Sequence, residues 1–391
     1  MSDVVIVGAK RTAIGSFLGQ FTGTPTPALG AAAISAALAQ SGIPADKVDE
    51  VIMGCVLPAG LGQAPARQAS RAAGIPDAAG CTTINKVCGS GMKAVMLAHD
   101  IIKAGSAQTV VAGGMESMTN APHLLNGSRT GLRFGNGELV DHMAWDGLTN
   151  PEDGKAMGVF GDATCAQYGL DRATVDAFAA ESVKRAQAAQ AAGAFAAEIA
   201  PVTVKSRKGD VLIDKDEEPG KIDPAKIPDL RPAFGKEGVL TAASSSKISD
   251  GAAALVVMSS AAATAAGATP LARIVAHATH AQAPEWFTTA PVAAIKTVLD
   301  KAGWTVADVD LFEVNEAFAC VAMAPMSDLG IPHGKLNVNG GALALGHPIG
   351  ASGARLLVTL IHALKARGGK RGVASLCIGG GEAVALALEL A

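Results

Sequence analysis

Two cysteines in this chain stand where an apolar run meets a glycine-rich turn. The first, Cys88, lies in TTINKVCGSGMKA, in which a predicted strand is followed by Gly-Ser-Gly and then by a predicted helix. This order places the Cys88 sulfur near a helix N-terminus, where backbone N–H groups and the helix dipole favour a thiolate over a thiol. Such a thiolate could act as a nucleophile. The alternative is a buried structural cysteine beside a tight turn.

The second cysteine, Cys377, ends an apolar run in VASLCIGGGEAVAL, and the triple glycine then turns the chain. A proton-exchanging thiol at this turn is one interpretation. A free cysteine that only fills space in the core is the other.

A histidine and an asparagine occupy comparable places. His347 lies in NVNGGALALGHPIGASGARLL, whose glycines fit neither GxGxxG nor GxxxxGK[ST]. A histidine held in such a loop can reach a ligand from a fixed position, but a loop histidine with satisfied hydrogen bonds is the alternative. Asn315 and Glu316 follow an apolar run in LFEVNEAFACVA, at the strand end where α/β sheets bind ligands. Helix capping by Asn315 is the simpler interpretation.

An internal repeat predicts how these residues are positioned. Residues 38–54 match residues 299–315 at an offset of 261, and residues 90–105 match residues 352–369 at an offset of 262. A nearly constant offset over two separate segments indicates two homologous halves. In this alignment Cys377 follows the strand of the second half, where the first half has Gly113-Gly114.

Each half reads as strand, helix, strand, helix, strand, which predicts an α/β fold with helices covering a mixed sheet. The pattern breaks between the halves, where glycine, asparagine, proline and charged residues become frequent. An insertion this long is usually functional. We therefore predict a first half of residues 1–119 plus 250–268, a substrate-covering loop subdomain of residues 120–249, and a second half of residues 269–391.

Composition excludes several classes of protein. The 391 residues are 49% hydrophobic and 17% charged, typical of a large core with buried strands. A net charge of −3 and an aromatic content of 4% give no reason to expect nucleic acid or a membrane as partner. The VVIVG run close to the N-terminus predicts no secretion signal. The six cysteines form no CxxC pair, so we expect neither a metal site nor disulfides, and a reducing cytoplasm as the location.

Five motifs in the chain resemble those of the thiolase family: NKVCGSG, GGMESM, NEAFA, GGALALGHPIGASGAR and CIGGG. They occur in the family's order, and the resemblance extends from VVIVGAKRTAIG to the last strand. It implies a duplicated five-layer α/β/α/β/α fold with an inserted loop subdomain.

The resemblance also implies roles for individual residues. Cys88 matches the nucleophile that becomes acylated, and His347 matches the base that activates it. Cys377 matches the cysteine that exchanges a proton with the substrate. Asn315 matches the asparagine that, with the histidine, holds a water in one oxyanion hole. The backbone N–H groups of Cys88 and Gly379 match the second oxyanion hole.

The acyl and pantetheine contacts are implied less completely. Ser246 keeps the serine position of a motif usually written TAGNASG-x-NDG, which reads TAASSSKISDG here. Met157 matches a methionine typical of short-chain members, whereas Phe287 stands where a second methionine is common. The set expected to bind coenzyme A and the acyl group is Leu148, Met157, Ala242, Ser246, Phe287 and Phe318. Contacts to the nucleotide end stay open, because Lys221 and its neighbours replace the usual pattern.

The activity implied is reversible Claisen condensation of two acetyl-CoA molecules to acetoacetyl-CoA and CoA, with no cofactor, since coenzyme A is a substrate. A broader-chain 3-ketoacyl-CoA thiolase of β-oxidation and a non-catalytic acyl-CoA-binding protein are the alternatives. Cys377 weighs against a ketosynthase or a hydroxymethylglutaryl-type synthase, and VVIVGAKRTAIG lacks the GxGxxG of a nicotinamide dehydrogenase. The family further implies fatty acid metabolism and a homotetramer held together through residues 120–140. A mobile substrate lid is the alternative for that segment.

Overall fold

The strands of the two halves follow the same order in one continuous mixed sheet. The computed structural model describes residues 3–205 and 209–391. The first half contains β1 (Val4–Thr12), β2 (Gly15–Ser16), α1 (Thr26–Ser41), β3 (Glu50–Gly54), α2 (Pro65–Ala72), β4 (Gly80–Ile84), α3 (Ser90–Lys103) and β5 (Thr109–Ser117). The stretch after it contains β6 (His123–Leu125), β7 (Leu139–Asp141), α4 (Met157–Gln167), α5 (Arg172–Ala191), β8 (Ile199–Ala200), β9 (Val202–Val204) and β10 (Val211–Ile213). The chain then continues through β11 (Ser249–Ser259), α6 (Ser260–Ala265), β12 (Ala272–Ala281), α7 (Ala290–Ala302), β13 (Leu311–Val314), α8 (Ala319–Leu329), α9 (Ala342–Leu345), α10 (Ile349–Arg367), β14 (Arg371–Ile378) and β15 (Glu382–Leu390).

The repeat is visible in the strand pairing. In the first half β1, β11 and β5 pair antiparallel, and β3 and β4 continue the sheet in parallel. In the second half β12, β15 and β14 pair antiparallel, β13 continues in parallel, and a parallel bridge between Phe312 and Leu336 takes the place of β4. The two halves meet where β1 pairs with β12.

Helices divide the structure into five layers. The helices α3 and α10 pack against each other, and each contacts strands of both halves. The helices α1 and α2 cover the other face of the first half, whereas α7 covers the other face of the second half and contacts α8. The predicted α/β fold with duplicated halves and five layers is therefore confirmed.

Glycine allows the two central helices to approach closely. A Cβ atom on Gly91 of α3 would lie 2.8 Å from the backbone nitrogen of Ala354, and one on Gly353 of α10 would lie 2.5 Å from the backbone nitrogen of Met92. Either contact is too short for any larger residue. Gly91 and Gly353 occupy equivalent positions in the two halves of the repeat. The close contact is therefore between equivalent parts of α3 and α10, and it brings the N-termini of these two helices together.

The helix α10 is apolar on all sides. Within the described residues it is the one helix long and apolar enough to cross a membrane, and 83% of its most apolar stretch is buried inside the protein. A helix that is apolar all round and buried in this way is a core helix.

The stretch between β5 and β11 corresponds to the predicted loop subdomain and is tied to β1 by a buried ion network. The guanidinium of Arg11 donates to Glu198 (2.6 Å) and, through two nitrogens, to Asp216 (2.7 and 2.8 Å). All three side chains are buried. Breaking such a group by removing one partner typically costs about 3–5 kcal/mol, so the network fixes the insertion against the first half.

Candidate active site

Cys88 lies in a strained turn between β4 and α3. The preceding residue, Val87, has a φ of 45°, a left-handed conformation that is costly for a β-branched side chain. Side chains hold the turn: Asn85 Oδ1 accepts the N–H of Val87 (2.8 Å), and Ser90 Oγ accepts the N–H of Lys86 (2.8 Å). The turn directs Cys88 into a cavity between the halves, as the predicted strand-to-helix turn requires.

The protonation state of Cys88 differs from the sequence-based expectation. Burial raises the pKa of the Cys88 thiol to about 11, and the carboxylate of Glu116 adds to the rise. Hydrogen bonds from the backbone N–H groups of Gly379 and of Cys88 itself oppose it. The prediction that the helix N-terminus makes Cys88 a thiolate is therefore wrong for the free site, because desolvation outweighs the N–H groups and the dipole. Ionisation requires a base.

The residue placed to act as that base is His347. Its Nδ1 lies 2.5 Å from Ser352 Oγ, and the Ser352 hydroxyl donates its hydrogen to the carbonyl of Pro348 (2.9 Å). Ser352 must therefore accept from Nδ1–H, which leaves Nε2 as the unprotonated nitrogen. Burial, and then the charge of Arg355, lowers the pKa of His347 to about 3. The imidazole is neutral and can accept a proton.

Asn315 is the polar residue on the other side of His347 from Ser352. It follows β13, and its Nδ2 lies 3.3 Å from His347 Nε2. Its carboxamide oxygen is buried and has no hydrogen-bond partner within the part of the chain that the structure describes. Glu316 turns away instead, because its carboxylate accepts from Ser182 Oγ (2.6 Å) and from Asn337 Nδ2 (2.8 Å). Asn315 thus contacts His347, and Glu316 holds the neighbouring Ser182 and Asn337 in place.

Cys377 ends β14, with Gly379 two residues further on. Burial raises the pKa of the Cys377 thiol, and the charge of Cys88 raises it further. Because each sulfur disfavours ionisation of the other, the pair holds at most one thiolate readily. Two thiols that cannot ionise together suit a sequence in which one carries a group while the other exchanges a proton.

These groups surround a cavity of about 50 Å³. It is lined by Cys88, Gly147, Leu148, Met157, Ser246, Phe287, Ala317, Phe318, His347, Ile349, Cys377 and Gly379. Nine of the eleven predicted site residues are in this lining. Asn315 lies behind His347, and Ala242 lines cavities further out. The structure therefore brings most of the predicted set together at one cavity.

Aromatic rings form one wall of the cavity. Phe318 makes edge-to-face contacts with Phe234 (ring centroids 5.7 Å apart) and with Phe287 (6.5 Å). Phe287 is buried. The packed rings therefore bound the cavity on this side.

The path from the cavity to the surface carries two lysines. A cavity of about 350 Å³ shares Met157, Ser246, Phe318 and His347 with the inner one and also touches Lys247. Burial lowers the pKa of Lys247 to about 8. Lys221 and Lys247 both line the cavities beyond it. The outer part of the path, where the sequence left the contacts open, is therefore lined by lysines together with the acidic residues Glu218 and Asp223.

Some residues that shape the site were not singled out by the sequence. Gly147, Ala317 and Ile349 line the cavity, and only the last two lie in motifs that could have indicated them. Glu116, in GGMESM, is buried at the end of β5 and accepts the backbone N–H groups of Val56 (2.9 Å), Leu57 (3.1 Å) and Gly350 (2.9 Å). It joins the loop after His347 to the loop after β3. The sequence feature that could have indicated Glu116 is a single carboxylate in an otherwise apolar strand.

Comparison with known proteins agrees with this geometry along the whole chain. Residues 4–261 match the thiolase N-terminal domain, and residues 268–390 match the thiolase C-terminal domain. Among curated proteins, the chain is 51% identical to the acetyl-CoA acetyltransferase of Chromobacterium violaceum over 389 residues, with 99% of each chain covered.

Two further relatives are similarly close. The acetyl-CoA acetyltransferase of Escherichia coli is 49% identical over 391 residues, covering 100% of this chain and 99% of its own. Acetyl-CoA acetyltransferase 2 of Arabidopsis thaliana is 50% identical over 391 residues, covering 99% and 97%. With both domains matched and the motif residues gathered around one cavity, the resemblance is confirmed, and this chain belongs to the thiolase family.

Proposed function

We propose that this protein is an acetyl-CoA C-acetyltransferase, which condenses two acetyl-CoA molecules to acetoacetyl-CoA and CoA and catalyses the reverse thiolysis. The observation that carries the proposal is one cavity bounded by Cys88, His347 and Cys377. Full-length relatives at about 50% identity that bear this name support the choice of substrate.

In the acylation step His347 Nε2 takes the proton of Cys88, and the thiolate attacks the thioester carbonyl of the first acetyl-CoA. In this proposal the backbone N–H groups of Cys88 and Gly379, which act to lower the pKa of the Cys88 thiol, stabilise the negative oxygen. Removing one such donor typically costs on the order of 10²–10³ in rate. Collapse of the tetrahedral intermediate expels CoA as its thiolate, which takes the proton from His347.

In the condensation step a second acetyl-CoA occupies the cavity. Cys377 gives its proton to His347 Nε2, and the resulting thiolate removes a proton from the α-carbon of this second acetyl-CoA. The enolate oxygen is stabilised beside Asn315 and the protonated Nε2 of His347. The carbanion attacks the acetyl group on Cys88, and the Cys88 thiolate leaves and takes the proton back from His347. A thiolate on Cys88 would raise the pKa of Cys377, and acetylation of Cys88 removes that opposition at this stage.

Chain length separates this function from its main alternative, a broader-chain 3-ketoacyl-CoA thiolase. The edge-to-face rings around Phe318 leave an inner cavity of about 50 Å³. We expect kcat/KM for thiolysis to fall at least about tenfold from acetoacetyl-CoA to a 3-ketoacyl-CoA with several more carbons, since a few kcal/mol of steric misfit suffices. Equal rates would favour the broader enzyme, and no turnover of any substrate would favour a non-catalytic binding protein.

We further propose that the enzyme works without a cofactor, in the cytoplasm and in fatty acid metabolism. Every cysteine of the described residues is a free thiol, which supports a reducing compartment. The reaction as written needs no redox group or metal. Its steps are proton transfers, formation and loss of the thioester on Cys88, and attack of the carbanion on that thioester, and none of them requires an oxidant or a reductant.

We also propose a homotetramer, a dimer of dimers, with the hairpin of β6 and β7 as the contact between dimers. Apolar side chains project from this hairpin and its loop: Leu125, Leu132, Phe134 and Leu139 are all exposed, Phe134 completely. Exposed apolar clusters of this kind mark interaction sites. The edge strand β4 is open for pairing within the tighter dimer.

Shortening the hairpin between Leu124 and Phe134 is expected to convert the tetramer into an active dimer, as measured by light scattering. A matched control is Leu212→Ser, which removes an exposed apolar side chain from the other hairpin, that of β9 and β10, and should leave a tetramer. A dimer in the unaltered protein would refute the tetramer and favour a mobile lid.

A further inference from the structure

Three metal-ligating side chains meet on the side of the molecule where the two halves join. His99 and Asp100 lie near the C-terminal end of α3, and His277 lies in β12. One atom of each converges: His99 Nδ1 is 3.0 Å from Asp100 Oδ1, His277 Nε2 is 2.8 Å from the same oxygen, and the two nitrogens are 3.2 Å apart. No step of the proposed reaction uses these residues.

Hydrogen bonds alone cannot satisfy this triangle. A carboxylate oxygen only accepts, so both nitrogens must carry a proton for both contacts to Asp100 to be hydrogen bonds. The nitrogens of His99 and His277 then face each other as two donors. If either gives up its proton, its contact with the oxygen becomes one between two acceptors. Every assignment of protons leaves one of the three contacts repulsive, whereas a cation bound to three lone pairs satisfies all of them.

The spacing also fits a metal ion. Bonds of about 2.0–2.2 Å from Zn²⁺ to nitrogen and oxygen place neighbouring ligand atoms roughly 3.3 Å apart in a tetrahedron and roughly 3.0 Å apart on one face of an octahedron. The observed separations are 2.8 to 3.2 Å. Two imidazoles and one carboxylate are a ligand set of first-row divalent transition metals. Shifts of a few tenths of an ångström would complete either geometry.

The surroundings hold the imidazoles and leave an approach for an ion. The rings of His99 and His277 lie nearly perpendicular, at 86°, with centroids 5.0 Å apart. Their side chains are only 14% and 18% exposed, but that of Asp100 is 50% exposed, so its side of the cluster is open to solvent.

We propose that His99, Asp100 and His277 bind a divalent transition-metal ion such as Zn²⁺, which joins α3 of the first half to β12 of the second. His99 is nine residues beyond Ser90, or roughly 14 Å along the helix axis from the end next to Cys88. The ion therefore stabilises the junction of the halves and takes no part in acyl transfer. The sequence predicted no metal site because 177 residues separate Asp100 from His277, and no motif spacing connects them.

Zn²⁺ titration by calorimetry, on tag-free enzyme first treated with a chelator, tests the site. We expect one ion per chain and a melting temperature that rises with Zn²⁺. Because loss of even a second-shell partner typically weakens metal binding 10–100-fold, His277→Ala and His99→Ala should each weaken it at least about tenfold. Thiolysis by metal-free His277→Ala should match that of the metal-free parent.

His280→Ala is the matched control, since His280 lies on the same strand but bonds to Gln282 (3.0 Å) outside the cluster. It should bind Zn²⁺ as the parent does. Substitution by Co²⁺ identifies the ligands: nitrogen and oxygen ligation gives visible d–d bands without a thiolate charge-transfer band. Undiminished affinity in both His277→Ala and His99→Ala, a thiolate band from the cysteines, or no saturable binding would each overturn the proposal.

Discussion

Replacing Cys88 by alanine is expected to abolish both acetylation of the enzyme and turnover of acetoacetyl-CoA. We propose Cys88 as the nucleophile, and the backbone N–H groups of Gly379 and of Cys88 itself favour the ionised form of its sulfur. Loss of the group that forms the covalent intermediate leaves no route through an acyl-enzyme. We expect a loss in kcat of at least about 10⁴-fold, the scale on which enzymes depend on a covalent nucleophile.

Peptide mass mapping after incubation with acetyl-CoA measures the same step directly. The acetyl group should be found on the peptide that contains Cys88. Cys81, the other half-exposed cysteine, provides the control. If accessibility alone decided acetylation, Cys81 would be labelled as well, and Cys81→Ala would reduce the label. An acetyl group on Cys377 would contradict the assignment of the nucleophile.

The fold could be predicted largely because the sequence contains two copies of the same order of strands and helices. The matched segments place a glycine at the end of α1 and of α7, and both Gly42 and Gly303 adopt the left-handed conformation that ends a helix. Local signals of this kind repeat faithfully when the halves share a structure. The insertion occurs only once in the sequence, so no second copy helped to predict its path. Its attachment to β1 through Arg11, Glu198 and Asp216 joins residues about 200 positions apart.

The ionisation of the site residues could be predicted less fully than their identity. Motifs identified Cys88, His347 and Cys377, and the cavity gathers them. The ionisation of Cys88 depends instead on how completely distant elements remove water from it. A local reading of the helix N-terminus includes the dipole and the N–H groups but omits that desolvation. For this reason the sequence predicted a thiolate, whereas burial raises the pKa of the Cys88 thiol to about 11.

Replacing Cys377 by serine is expected to separate the two chemical steps. The variant keeps the size and shape of the side chain, and His347 with its Ser352 contact (2.5 Å) remains to activate Cys88. Acylation should therefore continue at close to the parent rate. A serine hydroxyl ionises far less readily than a thiol, so removal of the α-proton should fail.

The measurement that separates the steps follows acetylation of Cys88 in a single turnover and carbon–carbon bond formation under steady state, in the same preparation. General acid–base groups typically contribute about 10²–10⁴-fold, and we expect condensation in Cys377→Ser to fall within that range. Cys320→Ser is the matched control, because Cys320 is a buried thiol close enough to Cys377 to affect it electrostatically but lies outside the cavity. The Cys320→Ser variant shows the effect of a buried hydroxyl by itself. We expect it to leave both acylation and condensation nearly unchanged. Equal loss of acylation and condensation in Cys377→Ser would mean that Cys377 serves the first step or the fold, and the division of labour between the two sulfurs would have to be abandoned.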